Sequence, residues 1–239
     1  MNRIILRTTT AVAAVTAAAL LFPAVATAAP VSAETCAEVS SEASPNGWGN
    51  PFEDEPNQAG TYVADEAFDA DGALKLTTVD APGSNPPARS ASYHSAGQLE
   101  LTALTGPLTV KHQGSPASWQ IRVTKAATGT QSGFATLVYA GAGATDVSES
   151  SEWWSTKTLG GTIPAYTHTT LAKLKQAAGP STVIDHYGIS IQTAVVGETA
   201  LIDDVTFNGC TTNFAKKAPA GDAFGSLSGV SLSNLIPLS

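Results

Sequence analysis

From residue 61 to residue 207 the chain is a succession of short runs in which apolar and polar residues alternate, each cut off by Gly, Pro, Asn or Asp. Side chains on a strand point to opposite faces in turn, so such runs present one apolar face each and need other strands to bury it. Turn signals at intervals of roughly 8 to 12 residues, with one helical segment among them, predict an all-β fold: an antiparallel β-sandwich (jelly roll) with one short helix.

Residues 73–79 place Leu74 and Leu76 on one face, and residues 98–104 do the same for Leu99 and Leu101. In residues 118–124 the inward set is Trp119, Ile121 and Val123. Residues 61–63, 89–94, 108–112 and 187–192 supply further strands, and residues 133–140, the most apolar run, are expected at the centre of a sheet. The stretch Thr199-Ala-Leu-Ile-Asp-Asp-Val-Thr-Phe-Asn-Gly209 reads as the last strand, interrupted by Asp203-Asp204 and stopped by Asn208-Gly209. Asp69-Ala-Asp71-Gly72 reads as a turn, and residues 141–151 as a flexible loop. Residues 170–178 form the helix, with Leu171 and Leu174 on one face, Thr169 or Thr170 as cap and Gly179-Pro180 as stop.

The ends suggest export. Arg3 and Arg7 precede a run of small and apolar residues over 11–25, and Ala26-Thr27-Ala28 fits a small-x-small cleavage site. A membrane anchor would need about 18 to 20 clean apolar residues, and this run is shorter and broken by Pro23. The expected divisions are a signal peptide at 1–28, a segment at 29–45 carrying Cys36, the sandwich at 46–214 and a low-complexity, disordered tail at 215–239. Cleavage would remove two of the 12 basic residues and none of the 20 acidic ones, taking the formal charge from −8 to −10. That charge argues against nucleic acid and anionic lipid, both of which need basic footprints. Cys36 and Cys210, the two cysteines, stand at the ends of the domain, and in an exported protein such a pair reads as a disulfide. Two free or intermolecular thiols are the alternative.

Several pieces resemble a pattern of secreted bacterial jelly-roll domains: Gly72-Ala-Leu-Lys-Leu-Thr-Thr78, Gly133-Phe-Ala-Thr-Leu-Val-Tyr139, Glu152-Trp-Trp-Ser155, Thr170-Leu-Ala-Lys-Leu174 and Ala200-Leu-Ile-Asp-Asp-Val205. Their order is similar to that of uncharacterised actinobacterial secreted proteins and, more distantly, of carbohydrate-binding modules and concanavalin-like sandwiches. These motifs are architectural, so the resemblance implies a fold and not an activity.

Sugars offer flat C–H faces to aromatic rings and hydroxyls to polar side chains. Trp153 and Trp154 are adjacent, so on a strand they face opposite sides; one belongs to the core or rim and the other can serve as a platform, with Glu152 beside it. Trp119 belongs to the core, and Trp48 is left open. At Asp203 and Asp204, alternation puts Asp203 on the face of Leu201, Val205 and Phe207 and Asp204 on that of Ile202 and Thr206. One carboxylate therefore sits near a packed face and needs a partner. The resemblance implies a structural calcium ion on this pair, with Glu53, Asp54 or Glu55 as ligands by position; an Asp bonded to backbone amides or to an Arg is the alternative. Asp69 and Asp71 are turn formers on this reading.

Signatures of catalysis are missing from the sequence. Gly225-Ser-Leu-Ser-Gly229 has leucine where a nucleophile belongs, no His-Glu-x-x-His occurs, and His94, His112, His168 and His186 lack ligand spacing. Glu53 and Glu55 alternate as glycosidase carboxylates do, but Pro56 and the surrounding Asn and Gly disfavour a central strand there. The expectation is a secreted, non-catalytic protein that binds extracellular or cell-surface polysaccharide. A cell-envelope structural or protein-interaction role is the alternative, with a glycoside hydrolase behind both.

Overall fold

The computed structural model describes residue 31 and residues 39–52, 58–65 and 67–217. The expected signal peptide, Cys36, residues 53–57 and the tail from 218 lie outside the described residues. Twelve strands follow in order: β1 (Val39–Ser41), β2 (Thr61–Asp65), β3 (Asp69–Thr77), β4 (Val79–Asp80), β5 (Ala88–Glu100), β6 (Leu108–Gly114), β7 (Ala117–Thr124), β8 (Ala135–Ala140), β9 (Trp153–Ser155), β10 (Val183–Thr193), β11 (Thr199–Phe207) and β12 (Cys210–Ala215). Among the described residues one helix, α1 (Leu171–Ala178), lies between β9 and β10, and a single 3₁₀ turn, Leu101–Ala103, follows β5. Among the described residues no helix is long and apolar enough to cross a membrane.

The strands form two six-stranded sheets. One runs β1-β12-β11-β3-β2, with β6 along the other edge of β11; the second runs β4-β5-β10-β7-β8-β9. All pairings are antiparallel except β1 with β12, which is parallel. The inner faces meet in one apolar core. Tyr187 of β10 stacks on Phe207 of β11 at a centroid distance of 3.8 Å and 5° between planes, and Trp119 of β7 lies 6.5 Å from Phe207. Trp119, Ile121 and Val123 are fully buried, as their alternation predicts, and so is Leu76 with Leu74 beside it.

Several local expectations are corrected. β11 is not the last strand, because Asn208-Gly209 turns the chain instead of ending it. Both residues have positive φ (53° and 84°) and Phe207 pairs directly with Cys210, the two-residue hairpin that an Asn-Gly pair favours. Asp69-Ala-Asp71-Gly72 is the beginning of β3, not a turn; Asp69 pairs with Asp65, and residues 67 and 68 make the turn. The predicted strands over 89–94 and 98–104 are largely one long strand, β5, ending in the 3₁₀ turn. The apolar β8 lies beside β7 and the three-residue β9, so the centre of its sheet belongs to β10 and β7. Strand β1 also draws part of the segment before residue 46 into the sandwich.

The helix matches its signals. Thr170 accepts a hydrogen bond on its side chain from Lys173 N, Leu171 and Leu174 are buried, and Gly179 closes the last turn with φ 93°. The 141–151 connection is tied down by its own polar groups: Asp146 Oδ1 accepts from Leu108 N at 2.9 Å and Ser148 N at 3.0 Å, and Trp153 Nε1 donates to Val147 O at 2.8 Å.

Candidate functional site

On the second sheet the alternation that turns Trp119 and Ile121 into the core turns Gln120 and Arg122 to the outer face. The same logic on neighbouring strands presents Arg89, Ala91 and Tyr93 from β5, Ser190 and Gln192 from β10, Thr136 and Val138 from β8, and Trp154 from β9. Together with Gln58, Asn85, Thr156 and Tyr166 they line a groove of about 180 Å³.

The strand registers align one row straight across it: Tyr93 opposite Gly188, Gly188 opposite Gln120, Gln120 opposite Val138, and Val138 opposite Trp154. Four inter-strand spacings make that row about 19 Å long. An aromatic ring stands at each end. Gly188 keeps the row low between Tyr93 and Gln120, where a Cβ would fall 2.1 Å from Ser92 O and 2.8 Å from Tyr93 Cα. The floor is polar and fixed, since Gln120, 6 % exposed, donates from Nε2 to Ser190 Oγ at 3.0 Å.

At the far end the Trp154 and Tyr166 rings meet at 5.3 Å and 42°. Tyr166 is 67 % exposed and has φ 60°, in the left-handed region that a bulky residue rarely adopts. Its backbone N donates to Ser155 O at 2.8 Å, which ties this strained residue to β9. Backbone strain of this kind, on the order of 1–3 kcal/mol, concentrates where a side chain must be aimed. Arg122 is engaged at the other end, with its guanidinium 3.4 Å from the Phe52 ring centroid and 5.0 Å from that of Phe134. Among the described residues no Asp or Glu lines the groove.

The adjacent tryptophans divide as their strand demands. Trp153 is fully buried and packs 5.5 Å from Tyr139, whereas Trp154 takes the groove. Glu152 does not line it; its Oε2 lies 2.9 Å from His168 Nδ1, with both side chains mostly exposed. Trp48 belongs to the core, 5 % exposed, with Nε1 donating to Thr212 Oγ1 at 3.3 Å and its ring edge-on to Tyr187 and Phe214. The rest of the groove has no motif of its own in the sequence. Its signal is there in the outward positions of residues 89–93, 118–124 and 187–192, which carry Arg, Tyr, Gln and Ser.

Asp203 and Asp204 occupy a different place, in the other sheet. Strand β11 pairs with β3 over residues 199–202 and with β12 over residues 205–207. Between the two partners lies a bulge, with Asp204 at φ 46° and a register shift against β6. The bulge breaks the expected alternation, so Ala200 and Ile202 face inward before it and Val205 and Phe207 after it, while Asp203 is buried and Asp204 exposed. Asp203 Oδ1 fills the gap in the ladder, accepting from Phe214 N at 2.7 Å and Asp204 N at 2.8 Å. Burial pushes the Asp203 carboxyl up to about 7 against these two hydrogen bonds.

Asp69 completes a cluster whose ligand atoms lie within 4.8 Å of those of Asp203 and Asp204. The Lys111 ammonium donates to Asp69 and holds its carboxyl down at about 2. One converging oxygen from each carboxylate makes three, fewer than the six to eight that calcium takes, and Glu53, Asp54 and Glu55 lie outside the described residues. Cys210 is buried and is not a free thiol; Cys36 lies outside the described residues.

The chain matches no protein-family model, no curated protein and no solved structure.

Proposed function

We propose that this is an exported protein that binds polysaccharide, without turning it over, in the groove on the outer face of the second sheet. The observation that carries this reading is the row from Tyr93 through Gly188, Gln120 and Val138 to Trp154. It sets amide and hydroxyl groups, the donors and acceptors that sugar hydroxyls need, beside the Trp154 and Tyr166 rings at one end. The leader-like residues 1–28 support export, and the Cys36–Cys210 bridge belongs to the same proposal.

Thermal unfolding against a panel of soluble polysaccharides tests the reading. A ligand at 100 times its Kd stabilises by about 2.7 kcal/mol, a shift of several degrees for a domain of this size. The proposal requires such a shift with at least one polysaccharide and its loss in Trp154→Ala. No shift with any polysaccharide would transfer the groove to the protein-interaction reading.

Calcium is carried as a separate proposal for the Asp69, Asp203 and Asp204 cluster, supported by the proximity of the three carboxylates. A rise in Tm with millimolar calcium, abolished by Asp204→Asn, supports it. An unchanged Tm assigns the cluster's cation to Lys111 alone.

A further inference from the structure

The groove carries a cationic group for which the described residues supply no ion pair. Arg89 stands on β5 opposite Gln192, beside Ala91 and Asn85 at the edge of the groove. Its Nε is buried without a hydrogen-bond partner, and among the described residues no carboxylate pairs with its guanidinium. Nor does an aromatic face receive it, unlike the guanidinium of Arg122, which is committed to Phe52 and Phe134.

A second group nearby is also incomplete. Gln58 is 4 % exposed, lines the same groove and has a buried Oε1 without a donor. Half-buried charges and buried polar atoms are normally satisfied, and the exceptions call for a partner. That this occurs in a chain of formal charge −8, with 20 acidic residues to draw on, makes the unpaired arginine more pointed.

Resting on the polysaccharide reading above, we propose that the groove's ligand is a uronic-acid polysaccharide, one of whose carboxylates is received by Arg89. The guanidinium is a planar fork that matches a carboxylate in two parallel hydrogen bonds, which a neutral hydroxyl does not match. Adjacent sugar units then extend along the row towards Gln120 and the Trp154–Tyr166 pair. Arg89 supplies selectivity for charge, and the aromatic end supplies affinity for the sugar ring.

The test is calorimetric titration of the mature protein with oligomers of 1,4-linked glucuronate, galacturonate and mannuronate, each beside its carboxyl-reduced neutral counterpart. At least one uronate should bind about tenfold or more tighter than its reduced form, the effect of one charge-assisted pair. That preference should disappear in Arg89→Gln, survive in part in Arg89→Lys, and shrink in high salt. The reduced oligomer should retain weak binding that Trp154→Ala removes.

Equal binding of a uronate and its reduced form overturns the uronate assignment and leaves the saccharide groove standing. Binding of no oligomer overturns the uronate assignment, and the saccharide groove falls with it only when the polysaccharide panel also gives no shift in Tm. The charged-against-reduced comparison uses the unmodified protein, so it decides the matter even if Arg89 variants fold poorly.

Discussion

Trp154 and Tyr166 reach each other from a strand and a loop, ring centroids 5.3 Å apart, and together close one end of the groove. Trp153, one residue earlier, is fully buried. The account therefore predicts opposite outcomes at neighbouring positions. Trp154→Ala should lower glycan affinity about tenfold or more and leave the Tm nearly unchanged, whereas Trp153→Ala should cost about 3–5 kcal/mol of stability. Paired titration and denaturant unfolding check both.

Tyr166 offers a separation of stability from function. Its φ of 60° suits Asn far better than an aromatic residue. Tyr166→Asn should keep or raise the Tm and still weaken glycan binding. A loss of stability without a loss of affinity would mean that the ring serves packing.

Asp203 is predicted to act through its hydrogen bonds and not through its charge. Asp203→Asn can still accept from Phe214 N and Asp204 N, so its stability should stay close to that of the parent near pH 4. Asp203→Ala leaves both amides unpaired and should cost about 2–4 kcal/mol there. Chemical denaturation of the two variants at that pH compares them directly.

The pH dependence follows from opposite shifts in one cluster. The Asp203 carboxyl is raised to about 7, so the folded state binds its proton more tightly than the unfolded state does. Its contribution is most favourable below the unfolded value near 4 and declines as pH rises towards 7. Asp69 is lowered to about 2 by Lys111, so its contribution is present above pH 4 and lost as pH falls towards 2. Asp203→Asn should flatten the decline between pH 4 and 7, and Lys111→Met should remove most of the acid-side loss. Tm measured across pH 2–8 reads both arms.

The proposed Cys36–Cys210 bridge has a direct test. The purified mature protein should have a mass lower by two hydrogens than the reduced chain, and reduction or Cys210→Ser should cost about 2–5 kcal/mol.

What was legible in the sequence was the part governed by local periodicity. Trp119, Ile121 and Val123 announce an inward face because nothing interrupts their alternation, and Thr170 and Gly179 mark the helix by their own conformational preferences. Where the chain departs from period two, local alternation no longer reports the inward face. The bulge at Asp203 and Asp204 shifts the inward set from Leu201 to Ile202, and that shift depends on β11 changing partners from β3 to β12, which its own sequence does not encode. The Asn208-Gly209 turn carried a hairpin signal, but the short, polar β12 after it lacks the apolar alternation that would mark a strand. The groove was hidden for another reason. Arg89, Gln192, Gln120 and Trp154 come from β5, β10, β7 and β9, four strands whose order across the sheet differs from their order in the chain.

The most direct test of the central claim is an amide and indole chemical-shift map of the mature protein titrated with the tightest oligosaccharide from the panel. The account predicts perturbations concentrated on the Trp154 indole, the Gln120 and Gln192 side-chain amides and the backbone of Tyr93 and Gly188, with the Trp153 indole little changed. Perturbations confined to other surfaces, such as the Asp203 bulge or the α1 face, would contradict the claim that this groove is the binding site.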